Sequence, residues 1–179
     1  MGACFEQIAI AARRGLGYAE RLAADVPAEL FAAKPRFTNA GKETEIDCNH
    51  PAFVFGHLGL YPTRVCGFVG LDGASIAAPA AWTDLFKAGS PCRDDRARTI
   101  YPAKDEIMAH FQRSHAYLID RLPAVDDALL SAPHPDPVVR EKYFPTVGMA
   151  VIFMLNSHVM VHSGQISTWR RCFGLPGIM

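Results

Sequence analysis

Apolar side chains recur at steps of three and four in four segments of the chain, and this spacing is typical of amphipathic helices. The first segment spans about Cys4 to Val26, and its apolar stripe consists of Phe5, Ile8, Ala12, Leu16, Ala19 and Leu22. The third spans about Pro102 to Leu122, and its stripe contains Ile107, Phe111, Ser114 and Leu118. Both predict helices with one face against a common core.

The second and fourth segments carry clear helix boundaries. The second begins at Asn49-His50-Pro51, where Asn49 can cap the helix, and it runs to about Gly70. Pro62 inside it predicts a kink or break near Leu58–Tyr61. The fourth begins at Thr146, a natural cap, and runs to about Cys172, where Gly174 and Pro176 end it.

Three long connections separate these helices, over residues 27–48, 71–102 and 131–145. The last holds four prolines and is predicted to be non-helical. No alternating apolar run of strand length stands out. The pattern predicts one all-α domain over residues 1–179, a four-helix bundle with long crossover connections.

Charge and composition exclude several classes of protein. Eighteen basic and 18 acidic residues give a net charge of zero, which offers no electrostatic reason to expect nucleic acid or an anionic membrane as partner. The sequence shows neither an apolar stretch long enough for a membrane span nor a signal-peptide pattern. Five cysteines without a C-x-x-C pair indicate reduced thiols in a cytoplasmic protein.

Two histidines on the fourth helix, His158 and His162, are four residues apart and therefore lie on one face. They belong to a core-type seam that consists of Val151, Leu155, His158, His162, Gln165 and Trp169. A third histidine, His57, lies on a comparable seam of the second helix, between Gly56 and Gly59, which permit close helix approach. Three such imidazoles could hold one divalent ion with positions left open. Core histidines hydrogen-bonded to backbone or to Gln165 are the alternative.

At these residues the sequence resembles the DinB-like superfamily, helical bundles that include bacillithiol and mycothiol S-transferases. The likeness rests on HPAFVFGHLGLYPTRV and on LNSHVMVHSGQISTWRRCFGLP, which resemble the family's second and last helices. The resemblance implies a divalent metal on His57, His158 and His162, with zinc or nickel favoured by the ligand type. It also implies, in many members, a homodimer, but it does not define the reaction. A small-molecule substrate, with a low-molecular-weight thiol as one candidate, is expected from the chemistry of a three-histidine site.

Other side chains have less specific signals. His50, Tyr61 and Arg64 share the second-helix seam. Tyr61 and Arg64 could line a pocket for an anionic substrate, although Arg64 could equally pair with an aspartate at the end of the bundle. His50 could support the ligands or line the pocket, and a surface position at the helix start fits it equally well. Glu106 and His110 favour an exposed ion pair over a metal ligand or base. His115 and His134 are expected at the surface and in a loop, and Arg170 and Arg171 as structural cations at a helix end. Trp82 and Phe86 would form a wall or lid over the site.

The motif His158-Val-Met-Val-His162 has no glutamate between its histidines, so it is not the H-E-x-x-H of a zinc peptidase. The Glu-x-x-His pairs of a di-iron bundle are missing as well. Two functional hypotheses follow. One is a metal-dependent thiol S-transferase or small-molecule hydrolase, and the other is a non-catalytic bundle with a metal or a hydrogen-bonded core.

Overall fold

The computed structural model describes residues 3–178, and it is mostly helical, as the sequence predicted. The helices are α1 Ala3–Ala24, α2 Pro51–Gly59, α3 Tyr61–Val69, α4 Ala80–Phe86, α5 Lys104–Arg121, α6 Pro137–Lys142, α7 Val147–Ile152 and α8 His158–Cys172. Three 3₁₀ turns lie at Ala74–Ile76, Leu122–Ala124 and Asp127–Ser131. A π-helical turn at Phe153–Ser157 joins α7 to α8, so residues 147–172 form one continuous helical unit.

Four helical units pack as a ring around the core. Helix α1 contacts both α5 and α8, and α2 contacts the same two helices from the other side. The stripe predicted for α1 is buried almost throughout, with Phe5, Ala19 and Leu22 fully inside and Ile8 half-buried. This arrangement brings α2 and α8, which carry the three histidines, face to face.

The kink or break predicted near Leu58–Tyr61 is a break at Leu60, between α2 and α3. Proline has no N–H to continue the ladder of backbone hydrogen bonds. The carbonyl oxygen of Gly59 accepts a hydrogen bond from His110 Nε2 on α5 at 3.0 Å. The His110 side chain of α5 therefore provides the hydrogen-bond donor for a backbone carbonyl group at the break.

The prediction of no strands was wrong for the connection between α1 and α2. Strands β1, Arg36–Asn39, and β2, Lys42–Glu45, form an antiparallel hairpin whose eight residues are all exposed. Ala40 and Gly41 form its turn with φ angles of 49° and 80°, which is typical of tight hairpin turns. An exposed hairpin has no buried face, so it lacks the apolar alternation from which strands are predicted.

Two other connections contain short helices that the sequence interpretation missed. Helix α6 lies within the proline-rich region, because Pro137 occupies its first turn and the Asp136 carboxylate accepts hydrogen bonds from the N–H groups of Val138 and Val139. Helix α4 lies in the 71–102 connection and buries Trp82 and Phe86 against the bundle. Helix α4 also forms part of the candidate site, because the carbonyl group of Phe86 contacts His57.

Arg170 is a buried structural cation, and this confirms its predicted role. Its side chain is 1% exposed and pairs with Asp25 at the end of α1, with Nη2 and Oδ2 2.8 Å apart. It also donates to the carbonyl oxygens of Leu22 and Pro176. Arg170 thereby fixes the end of α8 to the end of α1, whereas Arg171 is exposed.

Contrary to the sequence expectation, the unit Val147–Cys172 is long and apolar enough to cross a membrane by length and composition. Its 18-residue apolar window is 39% buried, and α8 packs against α1 and α2. These contacts are those of a bundle helix, and such helices pass the same test.

Candidate metal centre

The structure brings the three predicted histidines together between α2 and α8. His158 Nε2 lies 3.1 Å from His57 Nε2 and 3.0 Å from His162 Nε2. The potential ligand atoms of the three residues all lie within 4.8 Å of one another. Nitrogens on a tetrahedral zinc ion with bonds of about 2.0–2.1 Å are about 3.3 Å apart, so the cluster already has nearly the required spacing.

His57 is oriented by a backbone carbonyl of α4. Its Nδ1–H donates to the carbonyl oxygen of Phe86 at 2.7 Å, and its ring stacks on Phe53. Because that carbonyl can only accept, the Nε2 atom of a neutral His57 carries a lone pair, which faces the cluster. Gly56 makes this contact possible, since the Phe86 ring lies where a side chain at position 56 would begin.

His162 is oriented by a polar chain that leads to the surface. Its Nδ1–H donates to Gln165 Oε1 at 2.9 Å, and that oxygen also accepts from Asn49 Nδ2 at 3.2 Å. The second donor fixes the oxygen end of the Gln165 amide towards His162, so Nε2 of this histidine also carries a lone pair. Hydrogen bonds of this kind hold and polarise ligand histidines in metal sites.

His158 has no such partner, and its Nδ1 is buried without a hydrogen bond from the described residues. Its ring lies between Tyr61, at a centroid distance of 4.6 Å, and Phe153, at 5.5 Å. It directly follows the π-helical turn Phe153–Ser157. Such turns change the rotation of a helix by one residue and are frequent at functional sites.

The donor set is compatible with a cation. Two lone pairs, on His57 and His162, face the same Nε2 atom of His158, and one proton on that atom can serve only one of them. The other donor near them, the Tyr61 hydroxyl, lies 3.4 Å from His57 Nε2, which is long for a hydrogen bond. Burial lowers the pKa of His57 to about 4 and that of His158 to about 3, and it also lowers the pKa of His162. All three imidazoles are therefore neutral at pH 7 and can act as ligands.

Tyr61 and Arg64 extend from the cluster, as the shared seam predicted. The Tyr61 hydroxyl lies 3.4 Å from His57 Nε2, at the edge of the triad. Arg64 is exposed, and its guanidinium carbon lies 5.1 Å from the centre of the Tyr61 ring. The Tyr61 ring thus connects the triad to a cation at the surface.

His50 is neither a surface residue nor a neighbour of the triad. It is fully buried and caps α2, because its Nδ1 accepts from Phe53 N–H while its Nε2–H donates to the Arg93 carbonyl oxygen. Its ring packs edge-on against Tyr101. With both nitrogens used in this way, His50 holds the start of the helix that carries His57.

Two further histidines differ from the surface roles predicted for them. His110 is 3% exposed and bonds to Gly59, whereas Glu106 is exposed, so these two residues form no surface ion pair. His115 is 2% exposed and donates to the Phe111 carbonyl oxygen. His134 lies in a loop, as predicted, and is buried against Phe68. The burial of His110 and His115 could not be read from the helical pattern alone.

Sequence reasoning missed two groups that position the ligands, the Phe86 carbonyl and the Asn49 side chain. A backbone carbonyl has no residue signature, so nothing in the sequence could have indicated it. Asn49 was interpreted as a helix cap, and His50 takes that role instead. The side chain of Asn49 is therefore free to bond to Gln165.

Gly56→Ala is expected to destabilise the fold by about 1–3 kcal/mol, as overpacking of a well-filled core typically does. An added Cβ would lie 2.5 Å from the Phe86 ring, so α4 must move and with it the carbonyl that holds His57. Urea unfolding measures the loss. The control is Gly67→Ala on α3, where a Cβ meets nothing within 4 Å and a small gain in helix stability is expected. Equal effects at the two positions would contradict this account of the packing.

A family model described as the DinB superfamily matches residues 11–166, which is most of the chain and includes all three histidines. The chain belongs to the DinB superfamily. Searches of curated proteins and of solved structures found no match. Membership and the mostly helical fold confirm the resemblance seen in the two histidine-containing stretches. The triad makes this DinB-superfamily chain compatible with metal binding.

Proposed function

We propose that this DinB-superfamily protein is a divalent-metal-dependent enzyme whose ion is held by His57, His158 and His162. The observation that carries the proposal is the convergence of three imidazoles, two of them fixed by hydrogen bonds with their lone pairs towards one point. Zinc or nickel suits three nitrogen ligands best. Three protein ligands leave further coordination positions for a reactant, as in catalytic zinc sites.

The proposed reaction class rests on two features of the triad, its three neutral ligands and the lack of a carboxylate among them. A divalent ion on three neutral ligands supplies Lewis-acid chemistry, lowering the pKa of water towards about 7 or binding a thiol as thiolate. Within residues 3–178, the metal-capable group consists of histidines alone, with no carboxylate to act as a general base. Transfer of a low-molecular-weight thiol needs no such base, so it is the favoured activity, and hydrolysis of a small molecule is the second.

Tyr61 is the side chain best placed to assist at the triad. Its hydroxyl is within 3.4 Å of His57 Nε2, and burial raises its pKa, so the hydroxyl stays protonated at pH 7. It can therefore donate a hydrogen bond to an anionic nucleophile or to a substrate oxygen. His57 and His158 are 6% and 8% exposed, so this chemistry would take place in a largely water-excluded site.

The experiment is a panel of assays on metal-loaded and metal-stripped protein. Thiol transfer to an electrophile is measured with bacillithiol, mycothiol and glutathione, and ester and amide hydrolysis is measured alongside. We expect transfer with at least one thiol, lost on stripping and restored by zinc or nickel. Activity that stripping leaves unchanged would refute a role for the ion. Metal-dependent hydrolysis without transfer would favour the hydrolase, and inactivity in all assays would favour a non-catalytic bundle.

The homodimer and the cytoplasmic location stay predictions. Large apolar side chains exposed on the unit Val147–Cys172 are compatible with a dimer contact, and they are Met149, Ile152, Phe153, Met160 and Val161. A second copy covering them would remove that apolar surface from water.

A further inference from the structure

A cavity of about 450 Å³ lies beside the histidine triad and has a different lining. Four aromatic side chains line it, Tyr61, Phe68, Tyr143 and Phe144, together with His134, Val139 and Met154 and two charged residues. None of the three triad histidines lines it, but Tyr61 borders both sites, since its hydroxyl is 3.4 Å from His57 Nε2. Tyr61 is therefore a side chain common to the cavity and the triad. The volume is in the range of small-molecule sites.

Arg64 gives this cavity a cation without a protein partner. Within residues 3–178 its guanidinium makes no ion pair and no hydrogen bond, and its one polar contact is with the face of the Tyr61 ring. Arg13, Arg36 and Arg170, by contrast, each pair with a carboxylate. Asp136 also lines the cavity, but its carboxylate caps α6 and is not an ion-pair partner of Arg64.

A guanidinium group beside aromatic side chains favours one class of ligand. The planar fork of an arginine matches a carboxylate through two parallel hydrogen bonds. Aromatic side chains bind flat apolar groups by stacking and edge contacts. A ligand that satisfies both has an aromatic or similarly flat body and one carboxylate.

We infer that this cavity binds a small aromatic carboxylate, with the carboxylate on Arg64 and the ring against Phe68, Tyr143 and Phe144. The cavity thereby recognises the substrate of the triad, a role that rests on the proposed metal-dependent function. Binding itself does not depend on that function, because no triad histidine lines the cavity. Tyr61, shared by the two sites, holds the bound acid next to the triad.

Benzoate is the probe, titrated into zinc-loaded and metal-stripped protein and followed by two-dimensional amide NMR. We expect saturable shifts at Val139, Tyr143 and Phe144, with affinities in the two forms that agree within about threefold. Benzamide keeps the ring without the charge, and acetate keeps the charge without the ring. Benzamide is expected to bind at least about tenfold more weakly, since a hydrogen-bonded charge pair contributes that much or more. Acetate is also expected to bind at least about tenfold more weakly, because it lacks the buried aromatic ring and its contacts.

Arg64→Met is expected to weaken benzoate binding at least about tenfold while leaving zinc binding unchanged. The matched control is Arg121→Met, because Arg121 on α5 also lies over a tyrosine ring, 3.6 Å from Tyr117, but does not line the cavity. Benzoate affinity should stay at the wild-type value in that variant. Circular dichroism checks that both variants are folded.

Three results would overturn the inference. The first is benzoate binding that survives Arg64→Met, and the second is binding that disappears when the metal is stripped, which would place the carboxylate on the ion. The third is no saturable binding to either form. A protein that fails to bind zinc would refute the proposed function alone, because the titration of stripped protein still tests the cavity.

Discussion

His158→Ala is expected to lower the affinity for zinc by more than about a hundredfold. Loss of a residue that only orients a ligand typically costs about 10–100-fold, and His158 is the central ligand, within 3.1 Å of both other nitrogens. The Nδ1 atom of His158 has no partner in the described structure, so the polar contacts that the replacement removes are those of Nε2 with His57 and His162. The measurement is calorimetric titration of zinc into stripped protein, with elemental analysis of the protein as purified.

Two variants calibrate the effect of His158→Ala. Gln165→Leu keeps all three ligands but removes the acceptor for His162 Nδ1–H, so a smaller loss of about tenfold is expected. His134→Gln changes a buried histidine outside the triad and should leave the zinc affinity unchanged. Full metal occupancy in protein with alanine at His57, His158 and His162 together would rule out this metal site.

Metal-free protein is expected to lose stability steeply as the pH falls from 7.5 to 5.5. Burial lowers the pKa of His50, His57 and His115 to about 4 and that of His158 to about 3, against an ordinary value of 6.5. Below pH 6.5 the unfolded chain therefore binds protons that the folded chain excludes. Each histidine lowers the free energy of unfolding by up to about 1.4 kcal/mol over this interval.

The four histidines together amount to about 5 kcal/mol, which is comparable to the whole stability of many domains. The stability that they contribute is fully present above pH 6.5 and decreases until the folded-state pKa values are reached. Urea unfolding of stripped protein at pH 7.5, 6.5 and 5.5 measures the slope. In His115→Gln, which replaces a core histidine that donates to Phe111, the slope should fall by about a quarter. An equal slope in the two proteins, or a flat wild-type profile, would contradict the prediction.

The helices of the bundle were predictable because a long helix with one buried face repeats its pattern many times. The stripe from Phe5 to Leu22 gives several turns of evidence for α1. Helix α6 and the hairpin at residues 36–45 are short and exposed, so local turn chemistry decides them and periodicity carries no signal. The break at Pro62 was visible because a proline acts locally, through its missing N–H.

The candidate site likewise has features that could be predicted from the sequence and features that could not. The sequence predicted the three candidate ligands, because the four-residue spacing of His158 and His162 and the seam position of His57 follow from helix geometry. The groups that each histidine contacts depend on how the helices pack, which the spacing does not contain. Helix α4 brings the Phe86 carbonyl to His57, Asn49 reaches Gln165, and both contacts join segments far apart in sequence. Helical periodicity assigns each side chain to a face of its own helix, whereas the partner across that face depends on how the helices pack.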